Sequence, residues 1–145
     1  MFGLQTRYLS FFFGLIAILS FFNIIYSYYL NLYLNLDTYY LTLFISLTIS
    51  ILFYILKIPK KNQTIFNKIL TVFFGYIIIP LILSIPFYFS IYNLTFLNSF
   101  FESTSGFTST GFSIFENIKH IDQSLILWRS STQWIGGLYF LFSII

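Results

Sequence analysis

A long segment without any charged residue, from Tyr8 to Leu36, constrains this chain more than any other feature. About 20 apolar residues in a helix are enough to cross the hydrocarbon core of a bilayer, which is roughly 30 Å thick. Because Arg7 precedes the segment, a cleaved signal peptide is the alternative, but the segment is long and shows no cleavage site of the A-x-A type. We therefore predict a transmembrane helix from about Tyr8 to Tyr29.

The remainder of the chain is also poor in charge. Charged residues make up 8% of the sequence, against about a quarter in soluble domains, which is too few to solvate a globular surface. Apolar stretches predict three further spans, over residues 38–56, over residues 66–92, and from residue 124 onward. Pro80 and Pro86 lie in the third span, where they produce either an ordinary kink or room for a neighbouring loop. The sequence leaves both open, and it predicts an all-α integral membrane protein.

Positive charges are placed unevenly along the chain. Arg7 lies near the start, and four lysines lie between residues 57 and 68. Basic loops stay in the cytoplasm, so we predict a multi-pass protein of the cytoplasmic (inner) membrane with its N-terminus and residues 57–68 inside. Residues 28–40 and 113–123 are then outside. The lysines also suit anionic lipid, but topology is the simpler explanation, and no pattern predicts nucleic acid as a partner.

A hydroxyl-rich segment interrupts the apolar sequence near its last third. Six of the nine residues from Ser103 to Gly111 are Ser or Thr, and such side chains compete with helix for backbone hydrogen bonds. We predict a helix over residues 94–105, capped by Asn93 and ending near Gly106, followed by an extended return over residues 108–111. Irregular backbone survives in lipid only where it is buried in protein or lines a water-filled path. The segment therefore predicts a re-entrant loop.

Two motifs carry a resemblance to a known family. Residues 98–103 followed by residues 105–111 resemble the first pore helix and selectivity filter of the Trk/Ktr (TrkH-like) potassium-uptake membrane subunits. Residues 124–138 resemble the start of the helix that follows that filter. Two linked motifs in this order make a fairly specific signal, and we interpret the chain as the N-terminal portion of such a subunit.

The resemblance implies a particular fold and domain organisation. Two N-terminal transmembrane helices are followed by one helix–re-entrant pore loop–helix repeat, which is truncated in its last helix, so that the chain is a fragment of the transporter. Residues 1–62 are then a two-helix membrane hairpin with a cytoplasmic linker, and residues 63–145 are the first, incomplete repeat. The implied partners are the lipid bilayer, the remaining repeats of the transporter, a second copy in a homodimer, and a cytoplasmic nucleotide-binding regulatory subunit.

The resemblance also implies a function, potassium uptake through a filter lined by backbone carbonyls. The residues that it assigns to potassium binding are Thr108, Ser109, Thr110 and Gly111. Glu102 and Gly106 are the expected supports of the filter. No cofactor is expected, and potassium is the transported substrate. Ser109 stands where the family usually has Thr, a mild change because both carry a hydroxyl.

The side chains around the segment have interpretations of their own. Glu102 either holds the loop by accepting hydrogen bonds from backbone amides, or is protonated, or reaches water; we favour the first. Arg129 is expected to extend outward to water, and Trp128 and Trp134 to lie at the membrane interface. Tyr139 stands where the family has a small residue, which argues against close helix contact there.

Two other functions compete with transport. One is a non-conducting membrane interaction protein, in which residues 103–111 are only a polar loop. The other is an enzyme with an intramembrane active site. That alternative is weak, because the one histidine, His120, lies in an external loop and no base is spaced to activate a hydroxyl.

Overall fold

The computed structural model describes residues 6–56, 65–116 and 121–144. Within these residues the chain is helical and has no strand. The helices are α1 (Thr6–Tyr29), α2 (Leu36–Ile55), α3 (Ile65–Leu83), α4 (Ile85–Tyr88), α5 (Phe96–Phe107) and α6 (Gln123–Ile144). The predicted basic linker over residues 57–64, the domain boundary at residues 62–63, and His120 lie outside the described residues.

Among the described residues, three segments are long and apolar enough to cross a membrane: Thr6–Tyr29, Leu36–Ile55 and Ile65–Tyr88. They indicate an all-helical membrane protein and are candidate spans at the positions of the first three predicted ones. Helix α6 has 22 residues, which makes it about 33 Å long, but it is not among the three. Its first half carries Arg129 and a run of Ser, Thr and Gln, so the composition of α6 does not identify it as a span.

Helices α1 and α2 form an antiparallel hairpin whose turn is built by Asn31. Asn31 has a φ of 57°, the left-handed conformation that ends many helices. The amide of Leu32 donates to the carbonyl of Ser27 at 2.8 Å, and this bond satisfies a carbonyl that the helix leaves free. Along the hairpin, the hydroxyls of Ser10 and Ser50 each donate to the other residue's carbonyl at 2.8 Å.

The third predicted span is not one continuous helix. Helix α3 ends at Leu83, and after Ser84 the single turn α4 continues only to Tyr88. Pro86 has no amide hydrogen to donate, and Ser84 donates its hydroxyl to the carbonyl of Leu81 at 2.7 Å. The predicted extension of this helix to residue 92 is therefore wrong, and the four residues that follow Tyr88 form a turn.

The core joins the first hairpin to the rest of the chain through aromatic side chains. Phe12 of α1, Tyr76 of α3 and Phe107 of α5 each have their rings within 5.5 Å of the ring of Tyr139, which is fully buried. A side chain at Gly75 would overlap the phenol of Tyr139, so the missing Cβ of Gly75 makes the space that Tyr139 fills. Close helix contact at Tyr139 is thus present, contrary to the sequence-based expectation.

Candidate functional site

Helix α5 starts two residues later than predicted, because Thr95 caps it. The Thr95 hydroxyl accepts a hydrogen bond from the amide of Asn98 at 3.3 Å, as N-cap residues do. Asn93 has a φ of 48° and lies in the preceding turn. The helix has 12 residues and is about 18 Å long.

The faces of α5 are inverted relative to a soluble helix. Its buried side is largely polar and consists of Ser99, Glu102, Ser103, Ser105, Gly106 and Phe107. Large apolar side chains, among them Phe96, Leu97 and Phe101, are exposed. Ser103 donates its hydroxyl to the carbonyl of Pro80 at 2.8 Å, which attaches α5 to the proline-containing part of α3. The helix therefore presents hydrogen-bonding groups to the protein and hydrocarbon to its surroundings.

The C-terminal end of α5 is closed by the segment that was predicted to be extended. Ser109 has a φ of 56°, and its amide donates to the carbonyl of Gly106 at 2.9 Å. The amide of Thr110 donates to the carbonyl of Ser105 at 3.0 Å. These two bonds around a left-handed residue form a Schellman motif. The extended return over residues 108–111 is therefore wrong in its first half, which coils back over the helix end.

This cap leaves backbone oxygens exposed. Thr108, Ser109, Thr110 and Gly111 all lie on the surface. Within the part of the chain that the structure describes, no hydrogen-bond donor reaches the carbonyls of Thr108, Ser109 or Thr110. The Gly111 carbonyl accepts from Nη2 of Arg129 at 3.3 Å. Unpaired carbonyls at the negative end of a helix are a favourable place for a cation.

Glu102 lies inside the turn of chain that α5 and the following loop make. Its side chain is fully buried, and Oε2 accepts a hydrogen bond from the amide of Ile114 at 3.0 Å. The Ser113 hydroxyl lies 3.1 and 3.2 Å from its two oxygens. Nε of Arg129 forms an ion pair with Oε1. A buried carboxylate needs such partners, and here they fix the loop to the helix.

Arg129 connects this carboxylate to the segment that contains Gly111 and Phe112. Its Nη2 donates to the carbonyls of Gly111 and Phe112 at 3.3 and 3.2 Å, while Nε pairs with Glu102. The side chain is only 12% exposed, so the expected extension toward water is wrong. Sequence reasoning missed this role because the two partners are 27 residues apart. The available signal was one acid and one arginine within the same apolar region, since a buried charge requires a partner of opposite charge.

Two glycines allow α5 and α6 to approach each other closely. A Cβ at Gly106 would overlap the Thr132 hydroxyl, and a Cβ at Gly136 would overlap the backbone carbonyl of Phe107. Nothing lies within 4 Å of the same position at Gly137. Trp128, expected at the interface, is instead fully buried and donates to the carbonyl of Leu83 at 3.0 Å. Trp134 is exposed.

Among the described residues, no group of three His, Cys, Asp or Glu side chains is placed to hold a metal ion. The groups that the loop offers to a cation are therefore backbone carbonyls and hydroxyls. Thr108 and Thr110 place their hydroxyl oxygens 2.7 Å apart. This set of neutral oxygens suits an alkali cation better than a transition metal.

Comparison with known proteins gives partial matches. The chain is 38% identical over 60 residues to the Trk system potassium uptake protein TrkI of Halomonas elongata, which is 41% of this chain and 11% of that protein. It is 37% identical over 46 residues to TrkG of Escherichia coli, which is 32% of this chain and 10% of that protein. The chain is homologous to Trk potassium uptake proteins. No family model and no solved structure matches it.

The Trk homology is accompanied by a longer match. A protein described as an uncharacterized cation transporter, from Methanocaldococcus jannaschii, is 30% identical over 127 residues, or 86% of this chain. The match covers 27% of that relative. The chain thus spans about a quarter or less of the length of these relatives, all of which have transporter names.

Proposed function

We propose that the chain takes part in potassium uptake by supplying one carbonyl-bearing pore loop of a cation-conducting pathway. The observation that carries this proposal is the exposed segment Thr108 to Gly111, whose carbonyls lie at the C-terminal end of α5 and are held there by Glu102 and Arg129. Such oxygens can replace the hydration shell of a dehydrated cation. The names of the Trk homologues support potassium as that cation.

The proposed arrangement is a re-entrant loop between α3 and α6. Helix α5 is about half as long as a bilayer core is thick, and its exposed apolar side suits lipid or protein neighbours. One loop provides only part of a closed ring of carbonyls, so the exposed segment needs other loops around it. These would come from further repeats of the same kind, within a transporter that is a homodimer and binds a cytoplasmic nucleotide-binding subunit.

A potassium filter accounts for the exposed carbonyls better than a polar loop without transport. Three of the four carbonyls in the segment have no hydrogen-bond donor within the described residues. The fourth, that of Gly111, accepts a hydrogen bond from the Arg129 side chain. Carbonyls without partners are costly in a membrane, so a loop with no ligand would be a poor solution. A non-conducting interaction protein remains the alternative that a flux measurement tests.

The experiment substitutes Gly111 in the protein expressed from its complete reading frame. Gly111 has a φ of +82° and open space around its Cβ position, so Gly111→Ser acts through the backbone, where a side chain at positive φ costs roughly 1–2 kcal/mol. We expect a lower ratio of rubidium to sodium flux in proteoliposomes. Gly137→Ser, which also meets open space, is the control. An unchanged ratio in Gly111→Ser, with flux retained, contradicts the filter assignment.

A further inference from the structure

The turn between α1 and α2 contains a buried asparagine, Asn35, whose side chain bonds to Ile91 and Asp122 and not to residues 108–111. Asn35 is only 1% exposed and stands at the N-cap position of α2. Asparagine at this position usually accepts a hydrogen bond from an amide of its own helix, but the Asn35 side chain makes no cap bond. Its amide group is directed to other parts of the molecule.

Asn35 joins three segments that are distant in sequence. Its Oδ1 accepts from the amide of Ile91 at 3.1 Å, and its Nδ2 donates to Oδ2 of Asp122 at 2.8 Å. The amide of Asp122 donates to the hydroxyl of Tyr92 at 2.7 Å. The turn after α1, the turn before α5 and the start of α6 therefore meet at one buried side chain.

Asp122 is well placed to transmit this contact into α6. Its carbonyl accepts from the amides of Leu125 and Ile126 at 2.9 and 3.1 Å, so it begins the helix. The Ser124 hydroxyl donates to Oδ2 of Asp122 and lies 3.0 Å from the hydroxyl of Tyr39. Helix α2 thus holds the first turn of α6 through both Asn35 and Tyr39.

Arg129 lies on the same short piece of helix. Seven residues after Asp122 correspond to about 10 Å along α6, with no proline or glycine between them to bend it. A shift at Asp122 therefore moves the guanidinium that contacts Glu102 and the carbonyl of Gly111. The contacts form a continuous connection from the first hairpin to the filter segment.

We propose that Asn35 is a positioning residue for cation selectivity, which it controls by fixing the start of α6 and thereby the position of Arg129 against the filter carbonyls. The inference rests on the proposed function, because it assigns to the α1–α2 hairpin the task of aligning one filter loop. Asn35 does not touch the cation. A ring of carbonyls discriminates between cations through the position and field of its oxygens, so a small displacement of Arg129 against these carbonyls changes the preference.

The test exchanges the two bonded side chains in the protein expressed from its complete reading frame. Asn35→Asp places a carboxylate against Asp122, and like charges at this distance repel. Asn35→Asp combined with Asp122→Asn restores a donor–acceptor pair, since the new carboxylate accepts from Ile91 and from the new amide. The control is Asn31→Asp, the same substitution in the same turn. The Asn31 side chain is exposed and bonds only to Tyr33 within the described residues.

The readout is the ratio of rubidium to sodium flux in proteoliposomes, together with the fraction of protein that remains monodisperse after heating. We expect Asn35→Asp to lower the ratio by about threefold or more, because repulsion at Asp122 shifts Arg129 against the carbonyls that select the cation, and the exchanged pair to restore it. Asn31→Asp should leave it unchanged. An unaltered ratio in Asn35→Asp, or a reduced ratio that the exchange does not restore in folded protein, overturns the proposal.

Two further measurements keep the outcome unambiguous. If Asn35→Asp does not yield folded protein, Asn35→Ala removes both side-chain bonds without adding charge, and an unchanged ratio in that variant overturns the proposal equally. Gly111→Ser is measured in parallel. If Gly111→Ser alters the ratio and the Asn35 variants do not, only the positioning role fails. If Gly111→Ser has no effect, the filter assignment itself fails.

Discussion

Among single residues, Glu102 and Arg129 form the one ion pair found in the part of the chain that the structure describes. Glu102 is fully buried and Arg129 is 12% exposed. Removing a charge of this kind from water is expensive, so the pair is stable only because Ser113, Ile114 and two backbone carbonyls complete its hydrogen bonds. Loss of either partner leaves the other charge buried without compensation.

We predict that Glu102→Gln destabilises the protein strongly. Breaking a buried pair by removing one partner costs about 3–5 kcal/mol, which should appear as a lower temperature for loss of monodisperse protein in detergent. Glu116→Gln, a change at an exposed acid, is the matched control. The double variant Glu102→Gln with Arg129→Gln should lose less than the two single losses added together. Additive losses would show that the pair is not coupled.

Ser109 shows why the conformation of one residue alters an expectation drawn from side-chain chemistry. The hydroxyl suggests that Thr would replace Ser109 easily. However, the φ of 56° is unfavourable for a β-branched side chain, so the cap at the end of α5 selects against Thr at this position. The preference follows from the backbone of the Schellman motif rather than from the hydroxyl.

At the scale of helices, the contact between α5 and α6 depends on the absence of side chains. Gly106 and Gly136 each lack a Cβ that would collide with the opposite helix, in one case with the Thr132 hydroxyl of α6 and in the other with the Phe107 carbonyl of α5. Small residues allow helices in membranes to approach closely. The neighbouring Gly137 has no such contact, so the two adjacent glycines of α6 have different tasks.

Alanine at these two positions separates packing from helix propensity. Gly137→Ala should be neutral or stabilise the chain by up to about 1 kcal/mol, since alanine favours helix over glycine. Gly136→Ala gains the same propensity but must displace the Phe107 carbonyl, and overpacking of this kind costs about 1–3 kcal/mol. Thermal stability in detergent measures both. Equal effects of the two changes would contradict the close approach of α6 to the end of α5.

At the scale of the whole molecule, the two ends of the helical bundle are chemically different. One end holds the Asn35 network, which gathers the α1–α2 turn and the start of α6. At the other, the hydroxyl of Thr6 donates to the carbonyl of Leu56 at 3.0 Å. In the sequence, Arg7 directly follows Thr6, and four lysines lie between residues 57 and 68, after Leu56. Positive charges grouped in this way are typical of the cytoplasmic side.

This distribution predicts the orientation of the chain. A single cysteine in place of Leu34, which is 66% exposed in the α1–α2 turn, should react in intact cells with a thiol reagent that cannot cross the membrane. A single cysteine in place of Asn62 should react only after the cells are opened. Residues 1–145 contain no native cysteine, so none of them contributes background labelling. The reverse labelling pattern would invert the orientation.

The class of protein and the position of its apolar helices could be predicted without the structure. Uncharged segments of sufficient length have few alternatives to a transmembrane helix, because every backbone group must find a partner where there is no water. The hydroxyl-rich segment also marked a helix end from composition alone, since Ser, Thr and Gly disfavour helix continuation. The motifs over residues 98–111 are also short and local, so they indicated the Trk family without knowledge of the tertiary structure.

The contacts that hold this segment could not be predicted, because they depend on how the helices pack. Three contacts join residues that are distant in the sequence. Glu102 pairs with Arg129 across 27 positions, Tyr139 fills the space at Gly75 across 64, and Asn35 bonds to Asp122 across 87. Local patterns contain no information on which distant groups meet. A buried charge or amide shows that a partner is required, but the packing of the helices determines which partner it finds.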